Sequence, residues 1–179
     1  MRKTIRKWFW AWDFDKEEQW LNEMAAKGLC LVGVGWCKYE FEDCLPGEYH
    51  VRLELLQEKP THPESIKYVE FLEKTGAEHV GSYMRWIYMR KKAADGVFQM
   101  FSDYASRIRH LTRIIRLVGA IAAINLYVAF YNLFLFFLWG RPVSLLGLLN
   151  LALGGISIYG MVKLWRKRKL LQAEQRVFE

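Results

Sequence analysis

Two stretches near the end of the sequence contain no charged residue. One runs from Leu117 to Gly140 and the other from Pro142 to Val162, with Arg141 alone between them. At about 1.5 Å per helical residue, each would span roughly 30 Å, the thickness of a bilayer's hydrocarbon core. Two such segments in succession predict a transmembrane helical hairpin over residues 116–165, with spans at about 117–139 and 143–164.

Within these stretches the sequence also lacks histidine, so a proton or ion relay has no candidate residue. The uncharged polar and small residues instead recur at helical spacing, which predicts that they pack the two helices together. The hairpin-packing residues expected on this basis are Asn125, Asn132, Asn150, Gly154 and Ser157. Asn132 and Asn150 would lie at similar depth and could pair across the hairpin.

Acidic residues are almost absent after residue 105. Residues 1–105 carry 15 basic and 17 acidic side chains, whereas residues 106–179 carry 11 basic and 2 acidic ones. The basic excess therefore belongs to the flanks of the predicted spans, where it favours contact with membrane lipid rather than with nucleic acid. Because cytoplasmic flanks carry the excess of Lys and Arg, we expect a plasma-membrane protein with both termini cytoplasmic and residues 166–179 as a basic cytoplasmic tail.

Cysteine is rare, and the motifs of catalytic and metal sites are missing. Cys30, Cys37 and Cys44 form no C-x-x-C pair, so we expect reduced thiols and neither a disulfide framework nor a zinc site. The four histidines lie one to an element without metal-ligand spacing, and there is no Walker loop or G-x-G-x-x-G motif opening a helix. The sequence thus predicts a protein that is not an enzyme and has no catalytic residue, metal or cofactor.

Residues 1–94 have the pattern of one α+β domain. Period-two and helical patterns, with turn residues between them, predict six elements in the order β-α-β-β-α-β. These are strands over 4–14, 29–41, 49–56 and 78–92, and helices over 15–28 and 62–76. That order is typical of a ferredoxin-like fold, in which two helices cover one face of a four-stranded antiparallel sheet.

A ferredoxin-like sheet leaves one face without helices, and aromatic residues are dense on the predicted strands. The candidate contact surface on that open face comprises Trp8, Trp10, Trp12, Trp36, Tyr83 and Trp86. A surface of this kind could be a dimer interface, could lie beneath a loop, or could bind a small molecule or peptide. RNA binding is disfavoured, because the RNA-recognition string is absent and the domain is slightly acidic.

Residues 95–115 are predicted to form an amphipathic juxtamembrane helix that runs into the first span. Apolar side chains recur near helical spacing, and arginines lie on the other face. A plain rigid linker is the alternative.

Four strings in order resemble a known bacterial family: WLNEMAAKG, PGEYHVRLELL, FLEKTGAEHVGS and RKKAADGVFQMFSDYASRIRHL, followed by two spans. They are similar to the membrane protein family called domain of unknown function 2812, over nearly all of residues 8–115. The resemblance implies a Gram-positive bacterium and a gene neighbourhood with PadR-like transcriptional repressors. It carries over no catalytic or binding residue.

Two functions are compatible with these features. In the first, the protein is a membrane-anchored regulatory or adaptor protein whose cytoplasmic domain binds a ligand or a protein partner, such as a PadR-like repressor, or a second copy of itself. In the second, it is an accessory subunit of a larger membrane complex such as an exporter, with the hairpin as the main interface.

Overall fold

The computed structural model describes residues 2–98, 100, 103–140, 142 and 144–178. The chain divides into two compact units, Met1–Ser102 and Asp103–Glu179. The first is a mixed α and β unit and the second consists of two long helices.

The first unit contains two three-stranded antiparallel sheets, with strand orders β1-β3-β2 and β4-β6-β5. In chain order the elements are β1 (Lys3–Arg6), α1 (Phe14–Ala26), β2 (Leu29–Gly35), β3 (Lys38–Asp43), β4 (Tyr49–Leu55), α2 (Pro63–Lys74), β5 (Glu78–Tyr83) and β6 (Trp86–Lys92). Short 3₁₀ helices cover Ala11–Asp13 and Ala93–Asp95.

These elements are one β-α-β-β unit used twice. In each copy the third strand pairs with both the first and the second. Each helix is followed by a glycine with positive φ, Gly28 at 81° and Gly76 at 86°, which only glycine adopts without strain. Each second strand then has a register irregularity just before a glycine, Gly33 in β2 and Gly81 in β5. The first unit therefore consists of two structural repeats, β1-α1-β2-β3 and β4-α2-β5-β6.

The ferredoxin-like topology predicted from the sequence is not confirmed. The segment 29–41 is divided into β2 and β3 by a turn at Trp36-Cys37, and the segment 78–92 is divided into β5 and β6 by a turn at Met84-Arg85. Neither turn contains the Gly, Asn, Asp or Pro that marks a hairpin, so each pair appeared as one long strand. The class α+β is confirmed.

The predicted first strand over 4–14 is also shorter than expected. Pairing with β3 ends at Arg6, and the amide of Lys7 then donates to the carbonyl of Cys37 at 3.1 Å. Trp10 next accepts a hydrogen bond from the amide of Asp13, which closes the first 3₁₀ helix. The alternating tryptophans in this segment therefore do not belong to a strand.

Two apolar clusters stabilise the first unit. One joins α1 to the inner faces of both sheets through residues such as Leu21, Phe41 and Leu53. The other packs α2 against the opposite face of the second sheet, with Leu72, Met89 and Phe98 among its members. Thus the second sheet is covered on both faces, whereas the first is covered on one.

The second unit consists of α3 (Tyr104–Trp139) and α4 (Leu145–Phe178). Both are long and apolar enough to cross a membrane. The juxtamembrane segment joins the first span without a break from Tyr104 onward, and α3 ends at Gly140, which has a left-handed φ of 60°. The segment predicted as a basic tail continues α4 as helix through Phe178.

Candidate functional site

Three exposed tryptophans and the partly buried Tyr83 form one connected aromatic surface on the first unit. The ring centroids of Trp8 and Trp10 lie 5.4 Å apart, those of Trp8 and Trp36 5.9 Å, and those of Trp36 and Tyr83 5.9 Å. Met84 follows Tyr83 and is 71% exposed, and Trp36 is 68% exposed. We call Trp8, Trp10, Trp36, Tyr83 and Met84 the tip patch, since the last three lie at or beside the two hairpin turns.

Backbone and ring contacts of the first repeat hold its part of the tip patch in place. The hydrogen bond from Lys7 to Cys37 joins the segment bearing Trp8 to the turn bearing Trp36. Beneath them, Trp10 stacks on the buried Trp12 with ring centroids 4.8 Å apart and planes 6° apart. The exposed rings therefore rest on a packed layer and are not loose side chains.

Four of the six predicted contact residues come together, but not on an open sheet face. Trp8, Trp10, Trp36 and Tyr83 belong to the tip patch. Trp12 is only 6% exposed and lies in the core, which corrects its assignment as a surface residue. Trp86 is half-buried beside the first apolar cluster, with its ring 5.8 Å from that of Phe14.

The open face of the first sheet is charged rather than aromatic. Strand β3 alternates, with Tyr39 and Phe41 buried and Lys38, Glu40 and Glu42 on the other side. Lys38 forms an ion pair with Glu40 at 2.5 Å, and Arg2 forms one with Glu42 at 2.7 Å. Exposed pairs of this kind contribute little stability, so this face is a solvated surface.

A buried carboxylate lies at the centre of the first unit. Glu17 on α1 accepts hydrogen bonds from the hydroxyls of Tyr39 at 2.7 Å and Tyr88 at 2.6 Å. Burial raises the pKa of the Glu17 carboxyl, and the bonds from Tyr88 and Tyr39 partly oppose that shift. Burial and the nearby Glu17 raise the pKa of both phenols, which therefore stay protonated as donors. No local sequence pattern marks this cluster, because its three residues lie far apart along the chain.

Helix α1 also covers the free edge of β4 with polar side chains. The Asn22 amide donates to the carbonyl of Val51 and accepts from its amide, both at 2.9 Å. One Glu18 oxygen accepts from the amide of Leu53 at 3.0 Å, and the other pairs with Arg52. These bonds occupy backbone groups at the edge of β4 that could otherwise pair with another strand, so this part of β4 does not act as an open edge.

The cysteines differ from the expectation of reduced thiols. Cys30 and Cys44 form a disulfide across the open end of the β2–β3 hairpin, with Cα atoms 5.9 Å apart, whereas Cys37 is free. The spacing gave no sign of this bond, because Cys44 lies just beyond the end of β3. Glu48 is near both sulfurs, and these three form the one metal-type cluster found among the described residues. Since the sulfurs are bonded to each other, the cluster is not a thiolate metal site.

The histidines are dispersed. His62 precedes α2 and its Nδ1 accepts from the amide of Glu64 at 3.3 Å, while His79 contacts the hydroxyl of Ser82 at 2.9 Å. His50 is exposed on β4 and His110 is buried on α3. The described structure brings no two of them into a shared catalytic arrangement.

Small residues line the contact between α3 and α4. Gly154 and Ser157 are buried, as the packing prediction requires, together with Gly147 and Gly160. A Cβ at Gly147 would lie 2.9 Å from the Cβ of Asn132, so the two backbones approach closely there.

The two amides expected to pair across the hairpin bond elsewhere. The Asn132 carbonyl oxygen accepts from the Ser144 hydroxyl at 2.7 Å, and that hydroxyl accepts from the amide of Gly147 at 3.0 Å. Asn150 donates to the carbonyl of Leu146 in its own helix, as Asn125 does to Ile121. Asn132 therefore links the helices through the start of α4.

Comparison with known proteins gives one family. No curated protein and no solved structure matches the chain. A family model described as protein of unknown function (DUF2812) matches residues 13–123, from just before α1 to just past the middle of α3. This match covers more than half of the sequence, and the chain belongs to the DUF2812 family.

Proposed function

We propose that this protein is a membrane-anchored regulatory or adaptor protein: α3 and α4 anchor it, and the first unit binds a ligand or protein partner through the tip patch. The tip patch is the observation that carries the proposal. A soluble surface rarely exposes connected large aromatic rings unless they contact something, and tryptophan is enriched where partners bind.

The packing of the helices supports an anchor. The small residues of α4 are buried against α3 of the same chain, so the close-contact stripe is used inside the hairpin. The outward side chains are mainly large and apolar, among them Phe130, Phe134, Leu149 and Ile156. Such side chains suit lipid tails and provide no polar path through a membrane.

We further propose that both termini are cytoplasmic, because the basic residues flank the helices on that side. Under this orientation the first unit faces the cytoplasm, where a transcriptional repressor of the PadR type, suggested by the family resemblance, would be within reach. A cysteine at Pro142 should then react with a membrane-impermeant reagent in intact cells, and a cytoplasmic reporter fused after Glu179 should be active. Impermeant labelling of a cysteine at the C-terminus would contradict this orientation.

The function is tested by cross-linking capture from native membranes with the full chain. Replacing Trp8 and Trp36 by Ser should abolish recovery of the partner seen with the unaltered protein. The matched control replaces Leu45 and Phe71, two exposed apolar residues outside the tip patch, by Ser and should leave capture intact. Equal capture by both double variants would overturn the proposal.

The second candidate, an accessory subunit of a membrane complex such as an exporter, is favoured by the exposed apolar rings along α3. Tyr127 and Tyr131 lie 6.4 Å apart, stacked and exposed, on one side of the helix. Replacing both by Leu should abolish capture under this function and preserve it under the adaptor function. The two double variants therefore separate the candidates.

A further inference from the structure

We propose that the tip patch docks on the headgroup layer of an anionic lipid bilayer. The inference rests on the proposed function in that α3 and α4 must hold the chain in a membrane. It goes beyond that function by naming what the tip patch contacts.

The side chains of the tip patch are those that favour a membrane interface. Tryptophan and tyrosine rings are amphipathic and collect at the level of the headgroups. Trp8, Trp10, Trp36 and the partly buried Tyr83 supply four such rings, linked one to the next by ring contacts, and the exposed Met84 follows Tyr83 in the sequence. Several side chains of the patch could therefore insert into the headgroup layer at the same time.

Two exposed cations directly precede the first ring of the tip patch, although residues 1–105 have more acidic than basic side chains. From residue 2 to residue 12 the sequence has no acid, and of its four cations Arg2 pairs with Glu42 at the far end of β1, which leaves Arg6 and Lys7 as the cations next to the patch. Arg6 and Lys7 are exposed and directly precede Trp8. Each cation near an anionic surface contributes about 1 kcal/mol, so the charges complement acidic lipids.

The turns that present the patch adopt conformations that their residues disfavour. Cys37, next to Trp36, has a φ of 48°, and Met84 has a φ of 54°. Hairpin turns normally place Gly or Asn at positive φ. At the second turn the residue in this conformation is Met84, a bulky member of the tip patch, so its exposed side chain is presented at a cost in backbone strain.

The connection between the first unit and the predicted span is short. Tyr104 begins α3 only four positions after Met100, which packs against the second apolar cluster of the first unit. The residues of α3 before the predicted span at Leu117 add roughly 20 Å of helix. A unit on so short a connection meets the bilayer at a high effective concentration, so a weak intrinsic affinity of one of its surfaces suffices for docking.

Cys37 provides a native probe, because it is the free cysteine at the tip patch. We would attach a spin label there in the full chain, reconstituted into phosphatidylcholine vesicles with or without phosphatidylglycerol. Collisions with oxygen, which concentrates in lipid, and with a water-soluble nickel chelate report immersion. A label on Leu45→Cys in a Cys37→Ser background is the matched control, since Leu45 is exposed in the turn at the other end of the β2–β3 hairpin.

In vesicles with phosphatidylglycerol we expect several-fold fewer nickel collisions and more oxygen collisions at Cys37 than at the Leu45 position. This protection should be lost when Trp8 and Trp10 are replaced by Ser, and should weaken when Arg6 and Lys7 are replaced by Gln or when salt is raised. A label on Met84→Cys in the Cys37→Ser background should report the same immersion, so the result does not depend on one labelled site.

Labels at both sites that remain as nickel-accessible as the Leu45 control would overturn the proposal. Spin–spin broadening between chains, independent of lipid charge, would overturn it in favour of a second copy. If both labels stay in water while capture from native membranes still depends on Trp8 and Trp36, a protein occupies the patch. In that case the proposed function stands and the lipid inference fails. If the labels are immersed in lipid but replacing Trp8 and Trp36 has no effect on capture, the lipid inference stands and the proposed function fails.

Discussion

The hydroxyl of Tyr88 on β6 donates a 2.6 Å hydrogen bond to Oε1 of Glu17 on α1, a residue 71 positions earlier in the chain. The same oxygen accepts from Tyr39 on β3 at 2.7 Å. One carboxylate oxygen thereby joins α1 to the central strands of both repeats. Because all three side chains are buried, neither hydroxyl could exchange this acceptor for water at low cost.

Replacing Glu17 by Ala should destabilise the first unit by about 3 kcal/mol, because two buried hydroxyls lose their acceptor. Glu17→Gln keeps a carbonyl oxygen and should cost clearly less. Unfolding of the detergent-solubilised full chain, followed by near-ultraviolet circular dichroism, measures both. Equal losses in the two variants would show that the shared acceptor is not what stabilises this contact.

The stability of the first unit should fall as pH rises, because Glu17 is a buried acid. Burial raises the folded-state pKa of Glu17 above its unfolded value, so its stabilising contribution is fully present below the unfolded pKa and is lost as pH rises through the folded pKa. Between about pH 4 and pH 7, the unaltered chain should therefore lose more stability than Glu17→Gln does. The difference between their unfolding midpoints at the two pH values is the measurement, and an opposite slope would contradict the assignment.

Adjacent glycines in α4 give a matched test of helix packing. A methyl group at Gly154 would lie 2.7 Å from Leu126 Cδ2 and 2.9 Å from its Cγ, whereas one at Gly155 would meet nothing within 4 Å. Gly154→Ala should therefore separate the helices at a cost of about 1–3 kcal/mol, and Gly155→Ala should have no effect. Disulfide formation between cysteines at Gly119 and Met161, in a Cys37→Ser background, should slow several-fold in the first variant alone.

Ser144 should be coupled to Asn132, and Asn150 should not. Ser144→Ala removes both the bond to Asn132 and the acceptor for the Gly147 amide, and should cost about 1 kcal/mol from the cap alone. A double-mutant cycle of Ser144→Ala with Asn132→Leu, measured by reversible unfolding in mixed micelles, should give a coupling of roughly 0.6–1.7 kcal/mol. A cycle of Asn150→Leu with Asn132→Leu serves as the control, and coupling between those two residues would support the amide pair predicted from the sequence.

In the purified, oxidised chain the disulfide should stabilise the first repeat, whereas the reducing cytoplasm in which we place this unit would keep Cys30 and Cys44 as thiols. Cys30 and Cys44 close a loop of sequence separation 14, for which chain entropy predicts about 3 kcal/mol. Replacing both by Ser should lower the unfolding free energy accordingly, whereas Cys37→Ser should leave it unchanged. Hydrogen exchange of β2 and β3 in the full chain measures the effect locally, and unchanged protection after loss of both cysteines would contradict it.

The parts of this fold that could be predicted from the sequence are those with local signals. Gly28 and Gly76 mark the helix ends, and the charge-free stretches mark the long helices, because each signal is contained in a few neighbouring residues. The turns at Trp36-Cys37 and Met84-Arg85 lack such a signal, so the sequence pattern does not reveal the repeat, and the predicted four-stranded ferredoxin-like sheet is not confirmed. The aromatic residues of the candidate site could be predicted, but their arrangement could not, since Trp36 and Tyr83 meet only through packing of the two repeats.

Variants of Met84 separate its contribution to lipid contact from its effect on the stability of the fold. Its positive φ is one that Gly adopts freely, while any residue with a Cβ is strained there. Met84→Gly should therefore be about 1 kcal/mol more stable than Met84→Ala, because the two variants lose the same apolar side chain and differ mainly in backbone strain. Both should weaken the protection of a label at Cys37 on anionic vesicles equally, because docking depends on the side chain and not on the turn. Chemical unfolding and nickel accessibility of the same preparations measure the two effects. A Gly variant no more stable than the Ala variant would show that the turn holds Met84 without strain, and the conformational argument for the tip patch would then be lost.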